Sequence, residues 1–366
     1  MKLLGERLEL GPGSYVTYPH SNGFVQGGRE MVYVQPHEGR VELRLLELHS
    51  GKSFQLQTVE SGGGAPPLFW FDVAYGAPVL AAVFHNRVWT LRLGEKADWQ
   101  CVYTPAAKGR LHDLVSLRAD GSCVLCGETR EGAYGAVEID LRTGKARDVF
   151  SHSWLANHFH YVPYDESWIG FSHEGPTEKI PDRCWVWHEQ HVPEGKPVFD
   201  QRSEREGIPL CVGHERWCFH DRSAFVIAYA VSPAGKRGLY EIYADGRPAV
   251  LRWESDVFWH CSMDRTGRFA VIDTSGRWDE SGLSEAEYIA CRDRHVQADR
   301  DKAPNDSDVL LLDLERRESL HLARVRRSQH PYHPHPVISP DGQWVAWTDM
   351  DRGACVNRVC LDETAS

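Results

Sequence analysis

Short apolar runs alternate with polar turns along the whole chain. The runs MVYVQ, VELRLLEL, VLAAVFHNRVWTLRL, CVLCGE, WIGFSH, FVIAYA, FAVIDT and WVAWTDM are rich in Val, Trp, Tyr and Phe. Residue type, length and the bounding turns read as strands, and helical periodicity is scarce. A small turn precedes most runs. The clearest is Ser339-Pro340-Asp341-Gly342 before WVAW, with similar turns at Gly27-Gly28, Tyr75-Gly76, Asp120-Gly121, Asp165-Glu166, Asp221-Arg222 and Arg265-Thr266-Gly267. Positions 28, 76, 121, 165, 221, 267 and 342 are separated by steps of 48, 45, 44, 56, 46 and 75. Most are close to the roughly 40–50 residue period of a propeller blade.

Seven such repeats predict an all-β, seven-bladed β-propeller with blades of four antiparallel strands. The competing arrangement is a pair of β-sandwiches with accidental spacing. The long step holds a polar stretch, about 278–305, that reads as an insertion into one propeller domain spanning 1–366. Its segment SEAEYIACRDRHVQADRD reads as a short helix. Only 24 residues follow Gly342, enough for about two strands. The N-terminal segment around Glu6–Tyr18 is therefore expected to complete the last blade, which removes exposed edges.

Composition narrows the class. Of the 366 residues 42% are hydrophobic and 25% charged, which is globular rather than disordered. No apolar run reaches the roughly 18 residues of a membrane span, and the N-terminus MKLLGERLELGPG lacks a signal-like core, so a cytoplasmic location is expected. The net charge of −11 argues against a nucleic-acid partner, which needs a basic footprint, and against a long polyanion unless positive charge gathers in a cleft. Ten cysteines, two of them a CxxC pair (Cys123 and Cys126) inside the strand-like run CVLCGE, read as reduced thiols. Nothing in the sequence sets the oligomeric state.

The 19 histidines cluster near the blade starts. In Gln329-His330-Pro331-Tyr332-His333-Pro334-His335-Pro336, strand alternation puts His333 and His335 on one face. That HxH pair suits Mn, Fe, Ni, Cu or Zn. His330 is a candidate third ligand, and His260 in Phe258-Trp259-His260-Cys261-Ser262 the best distant one. An exposed Pro/His loop without a metal, or a packed His260, are the bland readings of the same residues. A second region is Asn157-His158-Phe159-His160, Phe171-Ser172-His173-Glu174-Gly175-Pro176 and Asp182-Arg183-Cys184-Trp185. A third is Gly213-His214-Glu215-Arg216-Trp217. There is no GxSxG elbow, P-loop or GxGxxG string.

The series HEGP, DRCW, GHERW, FWHCS…DRTG and HPHPVISPDGQWVAWTD resembles the oligogalacturonate lyases, seven-bladed propeller enzymes of pectin breakdown. The likeness runs in order from about Asn157 to Asp349. It implies β-elimination on short oligogalacturonides with a divalent cation, Mn2+ above all. By motif, the resemblance makes His214 the general base and Arg183 its partner at the uronate. It makes His260, His333 and His335 metal ligands, with a fourth from the place held here by His330. The family usually has Gln there, and Gln329 lies one residue earlier. HEGPW of the family is HEGPT here, with Thr177 replacing an aromatic residue.

The chemistry asks for these groups. β-Elimination takes the C5 proton of a uronate and expels the C4 oxygen, so the carboxylate charge must be offset and a base tuned near neutrality must be at hand. His158 and His173 are expected as substrate contacts, and His20 to reach the same face. Trp154, Trp185, Trp217 and Trp259 stand beside these residues, while His152, His188, His191 and His321 are expected at the surface. A small positive basin in a negative protein suits a short acidic oligosaccharide. Two other readings compete: a propeller lyase for another uronate linkage such as rhamnose–glucuronate, and a non-catalytic binding propeller of the TolB kind.

Overall fold

The computed structural model describes residues 1–60, 68–94, 98–202 and 209–362. Among them are seven four-stranded antiparallel sheets that make an all-β, seven-bladed propeller. Six sheets follow chain order: 24–60, 71–103, 110–152, 156–197, 212–254 and 258–327. The seventh joins Val337–Ile338, Trp344–Asp349 and Gly353–Cys360 to the N-terminal strand Lys2–Glu9. Leu3 pairs with Val359 and Glu9 with Cys355, so the N-terminal strand closes the last blade as expected. It begins a little earlier than the expected segment.

The expected turns are all present, but each lies between the first and second strands of its blade. Gly121 follows Arg110–Leu117, Gly267 follows Phe258–Met263 and Gly342 follows Val337–Ile338. The blade starts are therefore one strand earlier than the turns suggest. First strands do not stand out as apolar runs, because those of blades one, two and seven are only two or three residues long and those of blades three to six carry polar and histidine positions. Second strands do, because both faces are covered: Ser223–Ala228, Phe269–Thr274 and Trp344–Asp349 are buried at every position. Fourth strands such as Lys145–His152 are largely exposed.

The chain forms two compact units. One comprises residues 1–19, 176–181 and 199–366, and carries blades five to seven. Its core is built on Trp347, Val271, Leu311 and Val345, with Phe258, Phe225 and Ile272 in a second cluster. The other comprises 20–175 and 182–198, and carries blades one to four. Its core is built on Val115, Val124 and Ile139, and on Phe159, Ile169 and Phe171. The insertion at 278–305 holds a 3-10 turn, Trp278–Glu280, and the expected helix, Glu285–Arg300. Ser284 and Glu287 form the reciprocal cap that its S-x-x-E spacing allows.

Ladder register slips in the first strand of four successive blades. The slips lie between Leu111 and Val115, Asn157 and His160, Gly213 and Arg216, and Phe258 and Cys261. Each is a bulge, which leaves residues unpaired and re-aims their side chains. His112, His158, His214 and His260 all fall inside these bulges. His158 and His214 have φ of 54° and 55°, the left-handed region that a bulge residue adopts.

Candidate metal centre

In the unit holding blades five to seven, His260, His333 and His335 converge. One ligand nitrogen from each lies within 4.8 Å of the others. His260 and His335 are fully buried, and His333 is half-buried. The ring centroids are 4.6 Å apart for His260 and His335, 5.6 Å for His260 and His333, and 5.4 Å for His333 and His335. Burial, and then the neighbouring imidazoles, hold all three well below the ordinary histidine pKa. They are therefore neutral at physiological pH, the state that coordinates a cation.

Asp273 sets the orientation of His260. It is fully buried on the adjacent strand and accepts Nδ1–H of His260 at 2.7 and 2.9 Å. It also accepts the backbone N–H of His260 at 2.6 Å and that of His335 at 3.3 Å. Burial pushes its carboxyl well above the usual range, opposed by these N–H groups and by Arg327. With Nδ1 committed, the lone pair of His260 is on Nε2, which is buried and has no hydrogen-bond partner among the described residues. A carboxylate behind a histidine is the usual second support of a metal-binding imidazole. Nδ1 of His333 is likewise buried without a partner. Such atoms suit a cation and would otherwise carry a desolvation penalty of about 1–3 kcal/mol each.

Aromatic groups frame the cluster. Trp259 lies 4.3 Å from the His333 ring, and the buried guanidinium of Arg327 sits 4.4 Å over Trp259. Tyr18 lies 5.0 Å from His335. His330 is exposed at the rim, 4.0 Å from His333 and 5.0 Å from His335 by ring centroids. Gln329 is also exposed, and its carbonyl closes a turn with Tyr332 N–H at 2.9 Å.

His214 packs on the cluster, with its ring 3.9 Å from that of His260. Its Nδ1 is 2.9 Å from the carbonyl of Trp259 and 3.0 Å from the hydroxyl of Tyr229. A carbonyl can only accept, so Nδ1 carries the proton and Nε2 the lone pair. His214, His260, His330, His333 and His335 are thus brought together by three blades.

The unit holding blades one to four contains the other expected residues. Arg183 is buried and bonds Glu174 at 2.6 Å. His158 Nε2 is 3.7 Å from the same carboxylate. His20 is buried and bonded through Nδ1 to His160 Nε2 at 2.7 Å, and its ring lies 4.8 Å from that of His158. His173 bonds Asp182 at 3.0 Å and rests 4.2 Å from the Trp154 ring. His112 bonds Asn157 at 2.9 Å, and burial lowers its pKa.

Several supporting residues escaped the sequence reading. Asp273 was visible only as a polar break in FAVIDT, and Glu174 was quoted in HEGP without a role. Tyr18 and Tyr229 carry no motif. Two expectations are corrected: His152 is half-buried, its ring stacked 4.2 Å from Trp154 and 5.4 Å from Phe171, and His188 is buried rather than at the surface. Its Nδ1 accepts the N–H groups of Gln190 and His191 at 3.1 and 3.2 Å, and its ring packs on Trp168.

The molecule is a seven-bladed propeller with a largely buried three-histidine candidate site for a divalent metal. No protein-family model matches the chain, and no curated protein matches it. Solved structures do. An oligogalacturonate lyase from Vibrio parahaemolyticus has a TM-score of 0.76 at 16% identity, over 98% of this chain and 94% of that one. An oligogalacturonate lyase solved in complex with manganese has a TM-score of 0.72 at 16% identity, over 99% and 97%. The prolyl endopeptidases give 0.51 at 10% identity, over 93% of this chain but 47% of theirs. The fold of this chain is, over nearly its whole length, that of the oligogalacturonate lyases.

Proposed function

We propose that the protein is a metal-dependent polysaccharide lyase that cleaves short uronic-acid oligosaccharides by β-elimination, with oligogalacturonides as the first class to try. The observation that carries this reading is the largely buried triad of His260, His333 and His335, braced by Asp273, in a propeller of the lyase fold. These three residues would hold the cation, with His330 at the rim as the fourth donor and Mn2+ as the first choice. When bound, a divalent cation supplies positive charge that offsets a uronate carboxylate and its enolate-like transition state.

The residues of the chain do the rest. His214 is the base: with Nδ1–H held by the Trp259 carbonyl, Nε2 accepts the C5 proton. Arg183 stays charged at any working pH and is assigned the uronate carboxylate through the DRxW resemblance. His158, His173 and His20 are assigned to the sugar. The general acid for the leaving C4 oxygen is water or a second residue, since guanidinium is too weak an acid. Thr177, in place of an aromatic, points to a substrate groove shaped differently from that of the pectin enzymes. All ten cysteines are free thiols, which fits a cytoplasmic setting.

The test is direct. The chain is freed of metal with a chelator, supplied with Mn2+ and mixed with a panel of uronate oligomers while unsaturated uronate absorbance is followed. Activity should require the cation and vanish in His333→Ala. His214→Ala should keep the metal and lose turnover. A silent panel at every linkage would sink the enzyme reading, and a fully active His214→Ala would remove the base.

A further inference from the structure

The inserted helix Glu285–Arg300 poses a separate question. It is polar on nearly all sides, and of its residues only Tyr288, Cys291 and His295 are buried. A helix with so little apolar surface needs another means of attachment. Cys291 and His295 are one turn apart on one face, a spacing that brings side chains together. They meet Glu280, from the 3-10 turn Trp278–Glu280. A ligand atom from each of the three lies within 4.8 Å of the others. Glu280 Oε2 accepts from Cys291 Sγ–H at 2.9 Å and from His295 Nε2–H at 2.8 Å. The second carboxylate oxygen is bonded to Arg294. Nδ1 of His295 is 2.9 Å from the amide of Asn305.

The cradle has room for no side chain from below. Gly276 faces His295 Nε2 and Glu280 Oε2, and even an alanine methyl at that position would collide with both. Three donors of different types, brought together by two elements and capped by a glycine, are a metal-site pattern.

We propose that Glu280, Cys291 and His295 form a second cation site, structural and of zinc type, that fastens the inserted helix to its blade. The donor set of thiolate, imidazole and carboxylate separates it from the all-imidazole cluster and favours zinc over manganese. The protonated triangle is the metal-free form. On binding, the Cys291 thiol proton leaves to solvent and Sγ bonds the cation. The His295 proton moves from Nε2 to Nδ1, where the Asn305 amide, turned over, accepts it through Oδ1 and gives up the bond it now accepts from the Asp306 backbone N–H. Glu280 Oε2 exchanges its two donors for the cation, and water takes the fourth position. Thiolate and carboxylate balance the double charge, and no oxidation occurs.

The proposal stands independently of the lyase reading. Metal-stripped full-length protein is titrated with Co2+ and its near-ultraviolet spectrum recorded. Thiolate-to-cobalt charge transfer should appear in wild type and in His333→Ala, since the imidazole cluster has no sulfur. It should be absent in Cys291→Ser and weakened in His295→Gln. After zinc loading and gel filtration, elemental analysis should give one ion fewer per chain in Cys291→Ser than in wild type. No thiolate band in wild type overturns the proposal without any variant, and a band that survives Cys291→Ser overturns it as well.

Discussion

Asp273 is the residue on which the three-histidine cluster depends most. It fixes the tautomer of His260, and it ties the backbone of His335 to the same carboxylate. Asp273→Asn keeps the shape but replaces one accepting oxygen with an amide end that cannot accept from a backbone N–H or from His260 Nδ1–H. Metal affinity should fall about 10–100-fold, the range for loss of such a supporting group. Competition against a chromophoric chelator measures it, with circular dichroism as the check on folding, and an unchanged affinity would refute the role. The histidines themselves were legible because HPHP and FWHC are local strings. Asp273 was not, because its partnership is made across a ladder. Phe258 pairs with Thr274 and Cys261 with Ile272, so the bulge between them sets His260 against Asp273. No local spacing encodes that meeting.

At the scale of elements, two devices position the blades. The first is the closure of the last blade. Gly353 has φ of 83° in the hairpin after Trp344–Asp349, and a Cβ there would run into the carbonyl of Gly11 and the hydroxyl of Ser14. Ser14 Oγ in turn accepts the N–H of Ala354 at 2.8 Å and donates to Gly11 at 2.7 Å. Gly353→Ala combines a strained backbone with overpacking and should destabilise by ~2–4 kcal/mol. Denaturant unfolding of the variant checks it, and a loss below about 0.5 kcal/mol would show that the N-terminal segment yields freely. The second device joins the third and fourth blades. Glu138 bonds Tyr161 at 2.7 Å, Arg118 at 2.9 Å and Arg147 at 2.7 Å. Burial alone would push the Glu138 carboxyl up, but these bonds outweigh it and hold the carboxyl below its ordinary value. A depressed carboxyl adds stability above its unfolded pKa and loses it as pH falls through the folded value. Glu138→Gln should therefore cost about 1–2 kcal/mol near neutrality, a modest figure because both arginines are partly solvated. The gap between the two proteins should narrow as pH drops below the ordinary glutamate value of 4.5. A gap independent of pH would mean that the charge of Glu138 plays no part. These devices were hidden in the sequence for opposite reasons: Gly353 looks like any turn glycine, and Glu138 like any surface acid.

For the whole molecule, the repeat was legible because each blade buries an inner strand, which writes apolar runs at steps mostly near the 40–50 residue period of a blade. The blade boundaries were not, because the first strands either are only two or three residues long or give up apolar pattern to histidines and bulges. Charge is the property that belongs to no single blade. The net value of −11 sets a repulsive field against any polyanion. On the proposed reading, that field discriminates by length: a short uronate oligomer meets local cationic groups, while a long chain must also lie against acidic surface. Salt should reveal the difference. Between about 0.01 M and about 0.15 M, the Debye length contracts from roughly 30 Å to roughly 8 Å, so distant repulsion is screened before close contacts are. The kcat/KM for polymeric uronate should rise relative to that for the dimer across this range. Steady-state rates on the two substrates in the same salt series measure the ratio. A ratio that stays flat or falls would show that groups lining the site, and not the field of the protein, govern which lengths it accepts.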